Sequence, residues 1–430
     1  MCSSDLRRRR LRRVLRVLPQ PGHQLSNLSP QRLDHQSKFR VLGGKLLMGR
    51  TRINGHHTMV GNPARRSTSH AEDLPVTSGL GFGAVDDAAG GQRGTRAVVS
   101  ADLEGFLRAN WGVWPAGPAP DLGGSSNLNL LVTDGRSRQV ARVYRPFVTG
   151  QRVAALQAVR HHLASHGVPC AEPIPAAGGR GWETFEGRAV EVEPYVAAPA
   201  AMNTLTRVRT GLAVLGRIHA LLQAFPSSPA AAAPRFANYI AADGLVEAVA
   251  AGTRRIRAWQ PTPAEARLAD LADELAETLA QHERDRPTQP RRQLVHGDFW
   301  DNNVRFRHGQ VALVTDFDFL GDHPRTDDLA LTLYFTSVDL TDITSDPAPL
   351  TELADAYESG LGTRLSQHER AAIPLAMARQ PLWSISVWVA LLDDQDAARR
   401  HLAATAPELE WALQLTSRIA QVQDALAEDT

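Results

Sequence analysis

The chain has 430 residues, 43% of them hydrophobic, which is ample material for a buried core, and its longest apolar run, Trp383 to Leu392, is too short to span a bilayer. Its two cysteines, Cys2 and Cys170, make no disulfide framework, so a reducing, cytoplasmic setting is expected. The net charge of +1 hides an asymmetry: residues 1–70 hold 15 Lys+Arg against Asp5 and Asp34, leaving 32 basic and 44 acidic residues in a body at −12, which argues against nucleic-acid and membrane partners there and suits cationic small molecules.

In chain order, residues 1 to about 95 carry an arginine run at 7–13 and no sustained period, and 1–97 is expected to be a disordered or non-native extension. An Arg-rich transit peptide and a basic arm for nucleic acid or membrane are the alternatives. From Val98 the pattern predicts a helix capped by Ser100 or Asp102, with Leu103, Phe106 and Leu107 on one face. Asp121 to Asn127 forms a glycine-containing loop between two strands, of a kind that wraps phosphates through backbone N–H groups. A helix follows over Gln151 to His166, then two strand-like runs between Trp182 and Tyr195, split by Gly187-Arg188. Leu212 to Leu222 and Pro263 to Arg284 read as helices, on either side of a Pro/Ser/Ala linker at 226–234 that follows the first.

The chemistry concentrates in Val295 to Asp318, VHGDFWDNNVRFRHGQVALVTDFD. Val304 to Arg307 and Val311 to Thr315 are β-prone, and Gly309-Gln310 between them suits a type II′ turn. With His308 facing Val311, Asn303 falls directly opposite Asp316, about 4.5–5.5 Å away between Cα atoms. An amide oxygen and a carboxylate meeting at one point are hard ligands that suit Mg²⁺. Asp298 ends a loop five residues earlier, where it reaches a hydroxyl held beside the metal.

His296-Gly297-Asp298, then Asn303, then Asp316-Phe317-Asp318 resembles the catalytic core of the aminoglycoside phosphotransferase-like family, relatives of choline and homoserine kinases. The resemblance implies an α+β, bilobal protein-kinase-like fold. A small antiparallel-sheet lobe over 98–196 would bind the nucleotide, and a larger, mainly helical lobe over 197–430 would carry catalysis and the substrate. It implies transfer of the γ-phosphoryl group of ATP to a hydroxyl of a small polar molecule, with Asp298 as base and Mg²⁺ on Asn303 and Asp316. Ser126 and Asn127 match the nucleotide-covering loop, and Glu193 to Val196 match the linker whose backbone meets adenine. Arg142 stands where the family's phosphate-binding cation sits, since the only lysines are Lys38 and Lys45.

One departure concerns the acidic helix partner of that cation: Pro146 to Ala171 holds no Asp or Glu, so Gln151 or Gln157 substitutes or the ion pair is missing. His296 is expected to orient the loop, Asp328 to brace it from below, and Asp318 to meet a second metal or cap the next turn. Asp301, Asp322, Asp393, Asp394 and Asp396 are candidates for a cationic acceptor. A protein Ser/Thr kinase and a non-catalytic nucleotide-binding regulator are the competing readings. The immediate run into a helix at Asp328 speaks against a peptide-docking segment.

Overall fold

Alternating burial along Leu128–Thr133 (β1) turns Leu128, Leu130 and Val132 to one side, and this period of two builds the first layer. A computed structural model describes residues 96–430 except 124–126, 235–236, 287–289, 345, 391–393 and 428–430. It also describes the backbone of an antiparallel pair, Arg40–Leu42 with Lys45–Leu47. The rest of the expected 1–97 extension, apart from residues 96–97, lies outside the described residues.

β1 joins Arg138–Val143 (β2), Glu183–Phe185 (β3) and Arg188–Pro194 (β4) in an antiparallel sheet of order β1-β2-β4-β3. Ala101–Trp111 (α1) is capped by Ser100, whose hydroxyl accepts from the Leu103 N–H at 3.1 Å. It buries Leu103 and Leu107 against Leu130, Val143 and Val192 of the sheet. Gly150–Ser165 (α2) starts at the Thr149 cap and buries Val153, Leu156, Val159 and Leu163. The main chain of Val314 donates to Pro169 just beyond α2, at 2.6 Å, tying this layer to the hairpin that follows.

Residues 195–199 lead from β4 into the short strand Ala200–Ala201 (β5) and then into helices. Leu205–Gln223 (α3) is followed by Pro229–Ala232 (α4), Leu245–Ala258 (α5) and Pro263–Arg284 (α6). The last has a reciprocal Thr262/Glu265 capping box, which fixes its start where the sequence pattern puts it. Arg292–Val295 (β6) pairs with Gly321–Pro324 (β9), and between them lies the hairpin Val304–Arg307 (β7) and Gln310–Val314 (β8). The chain closes with Arg325–Asp339 (α7), Ala348–Leu361 (α8), Gln367–Ser384 (α9), Gln395–Ser417 (α10) and Ile419–Ala427 (α11). Together these form a larger helical part around Leu212, Leu275, Phe299, Leu333 and Tyr357. Among the described residues no helix is long and apolar enough to cross a membrane.

The hairpin departs from the expected register. Arg307 pairs with Gln310, so His308-Gly309 is the turn, and both residues have positive φ, 51° and 77°. That is type I′ chemistry, whose twist matches the strands. Glu186-Gly187, at φ 48° and 74°, joins β3 to β4 in the same way, one residue earlier than expected.

α3 meets α8 backbone to backbone: a Cβ added to Gly216 would lie 2.0 Å from the Tyr357 carbonyl oxygen. We therefore expect Gly216→Ala to lower the melting temperature by several degrees. Gly105→Ala, at an exposed α1 position with nothing within 4 Å, should stabilise by about 0.5–1 kcal/mol. Thermal denaturation of both variants checks this, and equal shifts would contradict the packing argument.

Candidate active site

Gly297 follows β6 at φ 78°, and a Cβ there would sit 2.3 Å from the Phe319 carbonyl oxygen, so only glycine lets the loop turn at this point. Its N–H donates to Asp328 Oδ1 at 3.0 Å. Asp328 Oδ2 meets His219 Nε2 at 3.0 Å, and His219 Nδ1 meets the Tyr357 hydroxyl at 2.7 Å. Burial would raise the Asp328 pKa, but the His219 contact outweighs it and the carboxyl is held below its ordinary value. Asp328 thus braces the loop as expected, and His219 is structural.

His296 is fully buried and orients the loop. Its Nδ1 accepts from the Asp298 N–H at 3.2 Å, which leaves Nε2 to donate to the Thr315 carbonyl at 3.1 Å. Burial lowers its pKa and keeps it neutral, as that acceptor role requires.

Asp298, 3% exposed, is held through both carboxylate oxygens. Asn303 Nδ2 donates to Oδ2 at 2.6 Å, and Asn238 Nδ2 donates to Oδ1 at 2.7 Å. Asn303 spends its amide nitrogen on Asp298, donating also to the main-chain oxygen at 2.8 Å, so the amide oxygen is its remaining function. No local sequence signal marks Asn238. It lies in the segment before α5, 60 residues from Asp298, and is buried against it.

On the other side of the hairpin, the Thr315 N–H donates to the Asn303 carbonyl at 3.0 Å, so Asn303 faces Thr315 and not Asp316. The turn at His308-Gly309, with a register shift between Val311 and Leu313, moves the pairing by one residue. Asp316 instead takes a left-handed conformation, φ 67° and ψ 59°, at the head of a short 3₁₀ turn, Phe317–Phe319. Arg152 of α2 holds that turn by donating to the Asp318 and Leu320 carbonyls at 3.1 and 2.5 Å. The 22% exposed Asp316 side chain lies 3.6 Å from Arg142 Nη1.

Arg142, Arg160, Glu193, Asp316 and Asp318 line a narrow cleft between the sheet and the hairpin. The expectation of a missing acidic partner for Arg142 is corrected here. Its partners come from the neighbouring strand, Glu191 at 3.9 Å and Glu193 at 3.7 Å, and α2 supplies an arginine instead. Arg160 Nη2 donates to Glu191 at 2.5 Å and Nη1 to Glu193 at 2.7 Å, while Gln157 Nε2 donates to Glu191 at 2.8 Å. Burial opposes the charge on Arg142, but Glu193, Tyr144 and Asp316 outweigh it and its pKa is held well above the usual value.

The remaining expected residues divide. Asn127 reaches the site: its Nδ2 donates to Asp318 at 2.5 Å, so Asp318 is anchored to the loop before β1. Ser126 lies outside the described residues. The Glu193 side chain is buried in the ion network, leaving only its backbone for a nucleotide, and Val196 is half-buried in the 195–199 connection. The candidate acceptor aspartates sit on separate elements. Asp322 pairs with Arg292 at 3.2 Å, Asp394 caps α10, Asp396 is exposed on α10, and Asp301 stays in the catalytic loop. Asp393 lies outside the described residues.

The donor set fits a divalent cation. Glu191 and Glu193 flank Arg142 and Arg160, and Asp316 and Asp318 add two further carboxylates facing the cleft. Burial, and then the Asp316 charge beside it, push the Asp318 carboxyl up to about 6, against the lowering effect of Arg142 and Asn127.

The sequence matches the model of a family described as "Phosphotransferase enzyme family" over residues 119–373. Homoserine kinase of Rhizobium meliloti is 26% identical over 266 residues, 59% of this chain and 72% of that protein. Homoserine kinase of Xanthobacter autotrophicus is 26% identical over 233 residues, 52% of this chain and 65% of that protein. Among solved structures, an aminopropanol kinase associated with a microcompartment has a TM-score of 0.59 at 18% identity, covering 75% of this chain and 98% of that one. Amicoumacin kinase in complex with AMP-PNP and Ca²⁺ has a TM-score of 0.55 at 16% identity, covering 73% and 93%. The likeness to these structures is one of fold, the two-part kinase-like arrangement described above.

A pH dependence follows from His323 beside this loop. Neither of its ring nitrogens has a hydrogen-bond partner, and burial pushes its pKa down to about 4. The unfolded chain takes up a proton below pH about 6.5 that the folded chain refuses until about 4, so stability falls over that window as pH drops. His323→Phe should reduce the loss between pH 7 and pH 5 by about 1–2 kcal/mol, measured by urea denaturation at the two values. An unchanged difference would contradict the assignment.

Proposed function

The chain belongs to the phosphotransferase enzyme family, and we propose that it moves the γ-phosphoryl group of ATP to a hydroxyl of a small polar molecule, with Asp298 as base. It is a small-molecule kinase with a hydroxyl acceptor. The observation that supports the mechanism is a doubly clamped carboxylate, Asp298, held by Asn303, whose strand neighbour Thr315 leads directly into Asp316 beside the buried cation Arg142.

Asp298 has a fixed orientation because each of its oxygens accepts an amide N–H, and each oxygen keeps lone-pair capacity for the proton of an acceptor hydroxyl. Arg142 binds the triphosphate oxygens through its planar fork, exchanging loose carboxylate neighbours for phosphate. The Asn303 amide oxygen and the Asp316 carboxylate would hold Mg²⁺, which when bound neutralises phosphate charge. Residues 98–196 form the nucleotide lobe, with Ser126 and Asn127 in the covering loop and the backbone of Glu193 to Val196 beside adenine. Residues 197–430 form the catalytic and substrate lobe. The regulator reading rested on a missing partner for Arg142, and Glu191 and Glu193 remove that basis.

The acceptor is a small hydroxyl compound that carries an amine. The homoserine kinases similar to this chain and the −12 charge of the body support this, and homoserine is the first compound to try. Asp298→Asn should abolish transfer while leaving the affinity for Mg·AMP-PNP within about threefold, whereas Asp316→Asn should weaken that affinity by about tenfold or more. Calorimetry checks the pair, and an equal loss of nucleotide affinity would refute the division of roles. In a coupled ATPase screen over cationic, neutral and anionic hydroxyl compounds, stimulation confined to the anionic set would overturn the acceptor class.

A further inference from the structure

Arg142 is 7% exposed, yet its guanidinium makes no close hydrogen bond to a carboxylate. Its approaches to Glu191, Glu193 and Asp316 are 3.9, 3.7 and 3.6 Å, beyond hydrogen-bonding range, and its contact with the Thr315 hydroxyl is long at 3.4 Å. Its Nε is buried with no hydrogen-bond partner. A permanently charged fork, buried and short of acceptors at the wall of a cleft, is prepared for an anion that arrives from outside.

The two glutamates that would otherwise satisfy it are occupied. Glu191 accepts from Arg160 at 2.5 Å, from the Tyr144 hydroxyl at 2.7 Å and from Gln157 at 2.8 Å. Glu193 accepts from Arg160 at 2.7 Å. Arg160 therefore straddles both carboxylates with its two terminal nitrogens, one to each. The cross-strand pair Arg142↔Glu191 places these groups side by side, so no backbone movement is needed for Arg142 to capture a vacated carboxylate.

We propose that Arg160 is a positioning residue for nucleotide binding: by occupying Glu191 and Glu193 it prevents them from capturing Arg142 and keeps that guanidinium available to the triphosphate. The family's usual polarity, an acid on the helix holding the strand cation, is reversed here. A helix arginine holds back the acids of the adjacent strand. The inference rests on the reading that Arg142 binds phosphate, and the two are separable by experiment.

The probes are Mg·AMP-PNP, which carries the triphosphate, and adenosine, which does not, titrated calorimetrically into the full chain. Arg160→Gln should weaken Mg·AMP-PNP by about tenfold and leave adenosine within about twofold, because only the phosphate clamp is affected. Arg160→Lys keeps the charge but replaces the fork, which reaches one carboxylate with each terminal nitrogen, by a single ammonium, so it should still lose about threefold or more. Adding Glu193→Gln to Arg160→Gln should recover most of the affinity. Unchanged Mg·AMP-PNP binding by Arg160→Gln would overturn the proposal. Full recovery by Arg160→Lys would show that charge alone acts, and equal weakening of adenosine would show a merely structural role; either result also overturns it. Arg142→Ala is the control: if it binds Mg·AMP-PNP like the wild type, the phosphate-clamp reading itself fails, whatever Arg160 does.

Discussion

Arginine has no neutral form within reach, so a buried Arg142 obliges the protein to place negative charge around it. That single constraint organises the cleft. Glu191 and Glu193 enter from β4, Asp316 from the turn after β8, and Arg160 crosses from α2 to balance the acids that Arg142 does not use. The sheet and the hairpin are drawn together at this point because neither carries the complete set of charges. The cost of keeping so many ions out of water is offset only by their mutual contacts, so each member is sensitive to loss of another.

The catalytic loop is supported from the opposite side by a different device. Asp328, His219 and Tyr357 form a buried relay that ends on the Gly297 N–H, and Thr332 of α7 donates to the Phe299 carbonyl at 2.5 Å. Loop residues are thereby referenced to helices α3, α7 and α8 and not only to their strand neighbours. Asp298 gains its orientation from two amides of distant sequence origin, Asn303 and Asn238, and the segment bearing Asn238 is itself held where Trp383 Nε1 donates to the Ala237 carbonyl at 3.0 Å. A carboxylate fixed in this way would meet an acceptor hydroxyl, as proposed for Asp298, without reorganising first.

Local signals in the sequence carried much of this. Ser100 and Thr262 mark helix starts through side chains that satisfy the first N–H groups, and α6 runs over the residues that its apolar period predicts. His296, Asp298, Asn303 and Asp316 were legible because their spacing is short. Both hairpins differ from expectation by one residue for a physical reason: the expectation puts Gly309 first in a type II′ turn and Gly187 first in the other connection, whereas His308 and Glu186 tolerate positive φ and leave glycine in the second position of type I′. The slip removes the direct Asn303 to Asp316 pairing, and the left-handed backbone of Asp316 takes over the task of aiming its carboxylate. Asn238, Arg160 and Glu191 carried no local signal, since what defines them is tertiary contact with Asp298 and Arg142 across tens of residues.

Arg142, proposed as the group that receives the triphosphate, has a side chain that can be observed directly. The arginine Nε–Hε resonance that disappears in Arg142→Lys identifies it in a spectrum of the ¹⁵N-labelled protein. On titration with Mg·AMP-PNP that resonance should shift and saturate with the same dissociation constant as calorimetry, and it should stay in place on titration with adenosine. A resonance that does not move while Mg·AMP-PNP binds would contradict the account.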